Sequence, residues 1–124
     1  MLTTIEDRRD RVFHALADRT RRDILRRSLT EEHSITELAG AYDMSFAAVQ
    51  KHVSVLHGAG LLKKRRAGRR AMTSGDVEGI RSAAVLLREL EDLWRGRIAR
   101  MEQLLEADAV DQNSLSPHPL KSLK

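Results

Sequence analysis

The sequence predicts a mainly α-helical fold with one small β-hairpin. Of the 124 residues, 41% are apolar, and both prolines fall among the last eight residues, so helices can run through most of the chain. Residues that favour helix N-termini recur in front of apolar patterns with helical spacing. One segment departs from these patterns, because KKRRAGRR at 63–70 places six positive charges around an alanine and a glycine. This segment predicts the hairpin.

Two helices are predicted before residue 30. The first runs from Ile5 to Ala17, with Thr3 and Glu6 spaced as a capping box. Asp18 then caps a second helix from Arg19 to Leu29. The predicted inward faces of the two helices are apolar residues at helical spacing: Ile5, Val12, Phe13 and Leu16, then Ile24, Leu25 and Leu29.

The next two helices are short and joined by a tight turn. Ser34 and Glu37 form a second capping box, and the helix that follows ends near Tyr42. Ser45 caps a fourth helix, whose Val49, Val53 and Leu56 face inward. Two helices in this arrangement are typical of a helix-turn-helix. The outward face of the fourth helix consists of Phe46, Ala47, Gln50, Lys51 and Ser54.

A basic hairpin follows the fourth helix. Its strands are predicted at 61–66 and 70–74, with the turn at 67–69. The chain has 22 Lys and Arg against 18 Asp and Glu; residues 61–70 hold six of the positive charges and no acid, so the remainder is 16 minus 18, or −2. A hairpin after a helix-turn-helix is a wing. Because its charge is local, this wing predicts an anionic partner.

The last predicted helix runs from Asp76 or Val77 to about Ala107. At 1.5 Å per residue it is about 45 Å long, more than three short helices can cover. We therefore expect residues 1–107 to form a winged helix-turn-helix domain that dimerises through this helix, followed by a disordered polar tail at 108–124. The predicted dimer interface consists of apolar residues on the first and last helices: Phe13, Leu87, Leu90, Trp94, Ile98, Met101 and Leu105.

Three segments resemble the ArsR/SmtB family of bacterial winged helix-turn-helix regulators. They are ALADRTRRDIL at 15–25, SITELAGAYDMSFAAVQKHVSVLHGAGLLKKRRAGRR at 34–70, and DLWRGRIARMEQLL at 92–105. The last segment resembles a subgroup without metal sites that is often encoded beside START-like (SRPBCC) proteins. Arg19 stands where the family usually has proline. The resemblance implies a dimeric DNA-binding repressor.

The predicted DNA contacts lie on the fourth helix and the wing. Gln50 can bond adenine bidentately, Ala47 and Phe46 can contact thymine methyl groups, and Lys51 and Ser45 suit phosphate oxygens. Two alternatives stay open, because Phe46 can instead pack toward the third helix and His52 can be a partly buried, satisfied histidine. The full set of predicted contacts is Ser45, Phe46, Ala47, Gln50, Lys51, His52, Lys64, Arg65, Arg66, Arg69 and Arg70.

Composition argues against several other classes of protein. Without cysteine the chain has no disulfide, thiolate nucleophile or cysteine metal ligand, and its five histidines show no ligand spacing. No glycine-rich phosphate loop or catalytic constellation is present. No segment approaches the roughly 18 apolar residues of a membrane span. We therefore expect a cytoplasmic protein that is not an enzyme, with no metal, cofactor or membrane partner and an unidentified inducer.

The sequence therefore predicts a homodimeric transcriptional regulator, a repressor that binds double-stranded DNA at an inverted repeat. One alternative is a protein-interaction module whose winged helix docks an acidic partner. Another is a nonspecific architectural DNA-binding protein, against which the apolar and amide residues at 46, 47 and 50 argue.

Overall fold

The computed structural model describes the backbone of residues 4–115 and the side chains of residues 4–110. This part of the chain is mostly helical with one small antiparallel sheet, which confirms the predicted fold class. It divides into two compact units between Val85 and Leu86. The elements in chain order are α1 (Ile5–Leu16), α2 (Arg19–Thr30), β1 (His33–Ser34), α3 (Ile35–Gly40), α4 (Phe46–Gly58), β2 (Leu62–Ala67), β3 (Arg70–Gly75) and α5 (Val77–Leu115).

Three of the predicted N-caps are confirmed. Asp18 accepts a hydrogen bond from the Arg21 amide at 3.0 Å, and Ser45 accepts one from the Ala48 amide at 3.1 Å. Ser34 and Glu37 form the expected reciprocal capping box. These side chains satisfy amide groups that a helix leaves without a partner, so they fix where α2, α3 and α4 begin.

The predicted cap of α1 was wrong by one residue. The capping box is formed by Thr4 and Asp7, not by Thr3 and Glu6. The sequence TTIED offers two overlapping pairs with the required spacing, and the helix starts at Ile5, which makes Thr4 the cap. Ile5 itself is exposed, so it does not belong to the buried face of α1.

The core of the first unit collects residues from all of its helices and from the sheet. The inward positions of α4 are as predicted, and Ala15 joins Val12 on the buried face of α1. The prediction for Leu29 was wrong, because Ser28 takes the buried position and Leu29 lies half-exposed against Gly75 of β3. The buried apolar residues are Val12, Ala15, Ile24, Leu25, Ile35, Leu38, Val49, Val53, Leu56, Leu61, Leu62 and Ala83.

The sheet contains the predicted hairpin and one strand that was not predicted. Its order is β1-β3-β2, and both pairings are antiparallel. The hairpin loop consists of Gly68 and Arg69, and Gly68 has φ +65° whereas Arg69 does not have a positive φ. This sign pattern matches a type II′ turn, which requires glycine at its first central position.

The last helix is longer than predicted. α5 continues to Leu115, so residues 108–115, which were assigned to the tail, are helical. No glycine or proline interrupts the chain between Ala107 and Leu115, and the first proline is at 117. The remainder of the predicted tail, 116–124, lies outside the described residues. No described helix is both long enough and apolar enough to cross a membrane.

A polar cluster fastens the end of α3 to α2. The Tyr42 hydroxyl donates to Oδ2 of Asp23 at 2.5 Å, and Nε of Arg27 donates to the same oxygen at 2.9 Å. The Arg27 guanidinium also lies 5.4 Å from the centre of the Tyr42 ring. Burial and the hydrogen bond to Asp23 raise the pKa of Tyr42 to about 12.

This pKa predicts a loss of stability at high pH. Below pH 10, Tyr42 is protonated in both the folded and the unfolded chain, and its contribution is fully present. Between about pH 10 and 12 only the unfolded chain ionises, so stability falls as pH rises. In urea denaturation, the wild-type free energy of unfolding is expected to drop by about 1 kcal/mol more than that of Tyr42→Phe between pH 9 and 11. Equal losses in the two proteins would contradict the assignment.

Candidate nucleic-acid interface

The outer face of α4 presents the side chains that were predicted to read bases. Val49, Val53 and Leu56 are fully buried, and this orientation leaves Ala47, Gln50 and Lys51 exposed. Ser45 uses its oxygen to accept from the Ala48 amide, while its hydroxyl proton stays able to donate to a phosphate. The structure thus places these four predicted residues on one helix and its cap.

Phe46 lies in the first turn of α4 and is 49% exposed. Any packing of Phe46 toward α3 therefore covers at most about half of its surface. A large apolar side chain with half of its surface in water gains free energy when a partner covers it. Phe46 is next to Ala47 and four residues before Gln50 on α4, so one partner surface can contact all three side chains.

His52 differs from the other predicted contacts on α4. It is partly buried, and its Nδ1 lies 3.4 Å from Nη1 of Arg21 in α2. Arg21 also donates to the carbonyl oxygens of His14 and Ala15 at the end of α1. The structure favours the alternative of a satisfied, partly buried histidine that joins α4 to the first two helices.

The wing carries its basic side chains in water. All six cations of the hairpin are exposed: Lys63, Lys64, Arg65, Arg66, Arg69 and Arg70. The type II′ turn places Arg69 at the tip, directly after Gly68. The hairpin therefore presents a dense positive charge next to the end of α4 in the chain.

One of these cations has a partner that sequence reasoning missed. Nε and Nη2 of Arg65 donate to the two carboxylate oxygens of Glu32, at 2.7 and 2.6 Å. The hydrogen bonds from Arg65 hold the pKa of Glu32 below its ordinary value, so Glu32 is ionised at neutral pH. The two residues are 33 positions apart, and no local spacing signals such a contact.

The apolar stripe of α5 is exposed within the second unit. Of the predicted interface residues, Leu87, Leu90, Trp94, Met101 and Leu105 are each about half-exposed or more, and Ile98 is partly buried. Phe13 lies in the first unit, where it packs partly buried against the core. Leu93 and Leu104, which were not predicted, are each 70% exposed. A helix with this much exposed apolar surface is typical of an interaction surface.

The described residues contain no group of three or more histidine, aspartate or glutamate side chains that could hold a metal ion. In the described part of the chain, Nδ1 of His33 lies 4.0 Å from Oε1 of Glu37. That single contact belongs to the start of α3, where Glu37 serves the capping box.

Short helices α3 and α4 joined by a tight turn, followed by a basic hairpin, define a winged helix-turn-helix. No protein-family model matches the sequence. The chain is 34% identical over 102 residues to the HTH-type transcriptional regulator Rv2034 of Mycobacterium tuberculosis, a match that covers 82% of this chain and 92% of the relative. The chain belongs to the ArsR family of DNA-binding transcriptional regulators.

Solved structures of this family are similar to the chain. An ArsR-like transcriptional regulator from Rhodococcus sp. RHA1 is 28% identical, with a TM-score of 0.70 over 78% of this chain and 92% of that one. A homodimeric winged helix-turn-helix DNA-binding domain from Mycobacterium bovis, described as a possible ArsR-family regulator, is 27% identical, with a TM-score of 0.57 over 69% of this chain and 80% of that one.

Proposed function

We propose that the chain is a homodimeric repressor that recognises an inverted-repeat operator through α4 and the wing. The observation that carries the proposal is the pairing of two surfaces in the first unit. One is an exposed helix face with amide and apolar groups, and the other is a hairpin of exposed cations. The first is suited to base edges and the second to phosphates.

The exposed predicted residues of α4 and its cap divide into three chemical roles in this proposal. Gln50 offers an amide that can bond N6 and N7 of adenine, and Phe46 and Ala47 offer apolar surface to thymine methyl groups. Lys51 and the Ser45 hydroxyl donate to phosphate oxygens, which sets the register of the helix in the major groove.

The wing supplies most of the affinity and little of the sequence choice. Duplex DNA carries one phosphate charge per about 1.7 Å of its axis, so the hairpin cations exchange mutual repulsion for phosphate contacts and release counterions. Arg69 at the turn is placed to enter a narrow minor groove, where AT-rich sequence deepens the negative potential.

Dimerisation through α5 completes the proposed site. A two-fold dimer presents two copies of α4, which requires half-sites about one helical turn, or a multiple of it, apart. The solved homodimer of the similar domain from Mycobacterium bovis supports this assembly. We assign DNA binding and dimerisation to residues 1–107, and repression to a bound dimer that covers promoter DNA.

The test is selection of duplexes from a random-sequence pool, followed by salt titration of the selected duplex and a scrambled one. We expect an inverted repeat to be selected, a log-log salt slope of about −0.9 per phosphate contact, and a clear affinity gap between the two duplexes. Salt-dependent binding without a gap would favour an architectural DNA-binding protein. Absence of duplex binding would favour a module that docks an acidic protein.

Gln50→Ala tests the assignment of the recognition helix. The variant is expected to lose about 1 to 3 kcal/mol on the selected duplex and to relax base choice at one position. Arg66→Ala is the matched control, because Arg66 is proposed to contact phosphate alone, and it should weaken the selected and scrambled duplexes alike. Electrophoretic mobility shifts on both duplexes measure the difference. If Gln50→Ala weakens both duplexes equally, α4 does not read bases through this residue.

A further inference from the structure

An ion pair ties the wing to the start of the helix-turn-helix across the whole sheet. Glu32 immediately precedes β1, and Arg65 lies in β2. These two strands are not neighbours, because β3 lies between them. The contact between Glu32 and Arg65 therefore bridges the middle strand, and it does so with two hydrogen bonds of 2.6 and 2.7 Å.

The strand register explains how the two side chains meet. Ser34 is opposite Met72, and Met72 is opposite Arg65, so these three residues share one face of the sheet. Glu32 is two positions before Ser34 and follows the same alternation. Neighbouring strands are about 4.8 Å apart and two residues advance about 6.6 Å along a strand, so the Cα atoms of this diagonal pair are about 12 Å apart, which an arginine and a glutamate side chain cover together.

The segment around Glu32 fastens several elements in consecutive residues. Glu32 holds β2, and the carbonyl oxygen of His33 accepts a hydrogen bond from Oγ1 of Thr73 in β3 at 3.2 Å. Ser34 then caps α3, the first helix of the helix-turn-helix. Both strands of the wing are thus attached to the residues from which α3 starts.

The same contact occupies one of the N–H edges through which Arg65 could bind a phosphate. A guanidinium recognises a phosphate or a carboxylate through two parallel N–H groups, and Glu32 takes the Nε and Nη2 pair of Arg65 here. Lys64, Arg66 and Arg69 make no ion pair with any residue in the described part of the chain. The hairpin cations are therefore not equivalent.

We propose that Arg65 is a positioning residue rather than a phosphate contact, and that its pairing with Glu32 sets the position of the wing relative to α4. The inference rests on the proposed function, and it corrects one member of the predicted set of DNA contacts. The remaining exposed cations of the hairpin supply the phosphate contacts.

Salt titration separates the two roles. With the duplex selected by the full-length wild-type protein, Arg66→Gln should lower the magnitude of the log-log slope by about 0.9, the value for one phosphate contact. Arg65→Gln and Glu32→Gln should each weaken binding about fivefold at every salt concentration and leave the slope unchanged, and the double variant should lose no more than either single one. A slope lower by about 0.9 in Arg65→Gln, or tighter binding in Glu32→Gln, would overturn the proposal.

A charge exchange gives a second criterion. Arg65→Glu alone places two carboxylates together and should weaken binding more than Arg65→Gln does. Combining it with Glu32→Arg restores the ion pair in reverse, and we expect affinity to return to within about twofold of wild type. If Arg65 contacted a phosphate, the exchanged protein would present a carboxylate there, and no recovery would follow.

Hydrogen exchange of residues 62–75 in the free protein tests, without DNA, whether the ion pair of Glu32 with Arg65 holds the wing. Hydrogen exchange should accelerate in Glu32→Gln and in Arg65→Gln. It should return to the wild-type rate in the double variant that combines Glu32→Arg with Arg65→Glu. Unchanged exchange in all variants would overturn the positioning role. If hydrogen exchange behaves as expected but the wild type selects no duplex, the proposed function fails, whereas the positioning role of the Glu32–Arg65 ion pair is supported.

Discussion

Replacing Trp94 with alanine is expected to convert the proposed dimer to monomers at micromolar concentration. Trp94 is 56% exposed on α5 and lies within a stripe of large apolar side chains in the second unit. Tryptophans at the centre of interfaces contribute about 2 kcal/mol or more each. A two-fold dimer loses the side chain twice, about 4 kcal/mol, which raises the dissociation constant about a thousandfold.

DNA affinity should fall together with dimerisation. A dimer engages two half-sites at once, so the second contact is effectively intramolecular, and a monomer loses this advantage. Sedimentation at several concentrations measures the dimer, and mobility shifts on the selected duplex measure the coupled loss. Asp92→Ala is the control and should leave the dimer intact, because Asp92 is an exposed polar residue of α5 about 160° around the helix from Trp94. An intact Trp94→Ala dimer would refute this interface.

The sequence predicted α2, α3 and α4 well because their start signals are local. Asp18, Ser34 and Ser45 are short polar side chains placed directly before apolar residues at helical spacing, and each one caps its helix in the structure. The inward face of α4 followed from the same spacing. Because α4 carries the predicted base contacts, the exposure of these residues could be predicted as well.

The errors have two physical causes. At α1, Thr3 and Thr4 precede two acids at the same spacing, so local chemistry did not choose between two starts. At α5, polar residues after 107 resembled a tail, but no proline or glycine occurs between Ala107 and Leu115 to disfavour the helix. A polar composition alone does not mark a helix end.

The part of the site that escaped prediction depends on long-range contacts. Strand β1 has only two residues, too few to show an alternating pattern, and it exists because β3 pairs with it. The pairing of Glu32 with Arg65 follows from that strand. His52 likewise gained its partner Arg21 from the packing of α2 against α4. In both cases the partner residue is distant in sequence, so local spacing could not predict the contact.

Gly79→Ala is expected to destabilise the first unit by about 2 to 3 kcal/mol, a typical cost of an overpacked site. Gly79 lies in the first turn of α5, where a Cβ would stand 2.4 Å from the carbonyl oxygen of Gly60. Gly60 ends the segment after α4 with φ +79°, and the next residue, Leu61, is fully buried. The obstructing atom belongs to the backbone, so relief requires moving the junction between α4 and the wing.

Gly96→Ala is the control that separates this close approach from a general effect of glycine in a helix. Gly96 also lies in α5, but the nearest atom to an added Cβ is Nη1 of Arg100, at 3.5 Å. Without an obstruction, alanine should stabilise the helix by up to about 1 kcal/mol, the difference in helix propensity. In chemical denaturation at neutral pH, the free energy of unfolding should therefore fall in Gly79→Ala and rise in Gly96→Ala. A stabilised Gly79→Ala protein would show that the first turn of α5 does not pack against the carbonyl oxygen of Gly60.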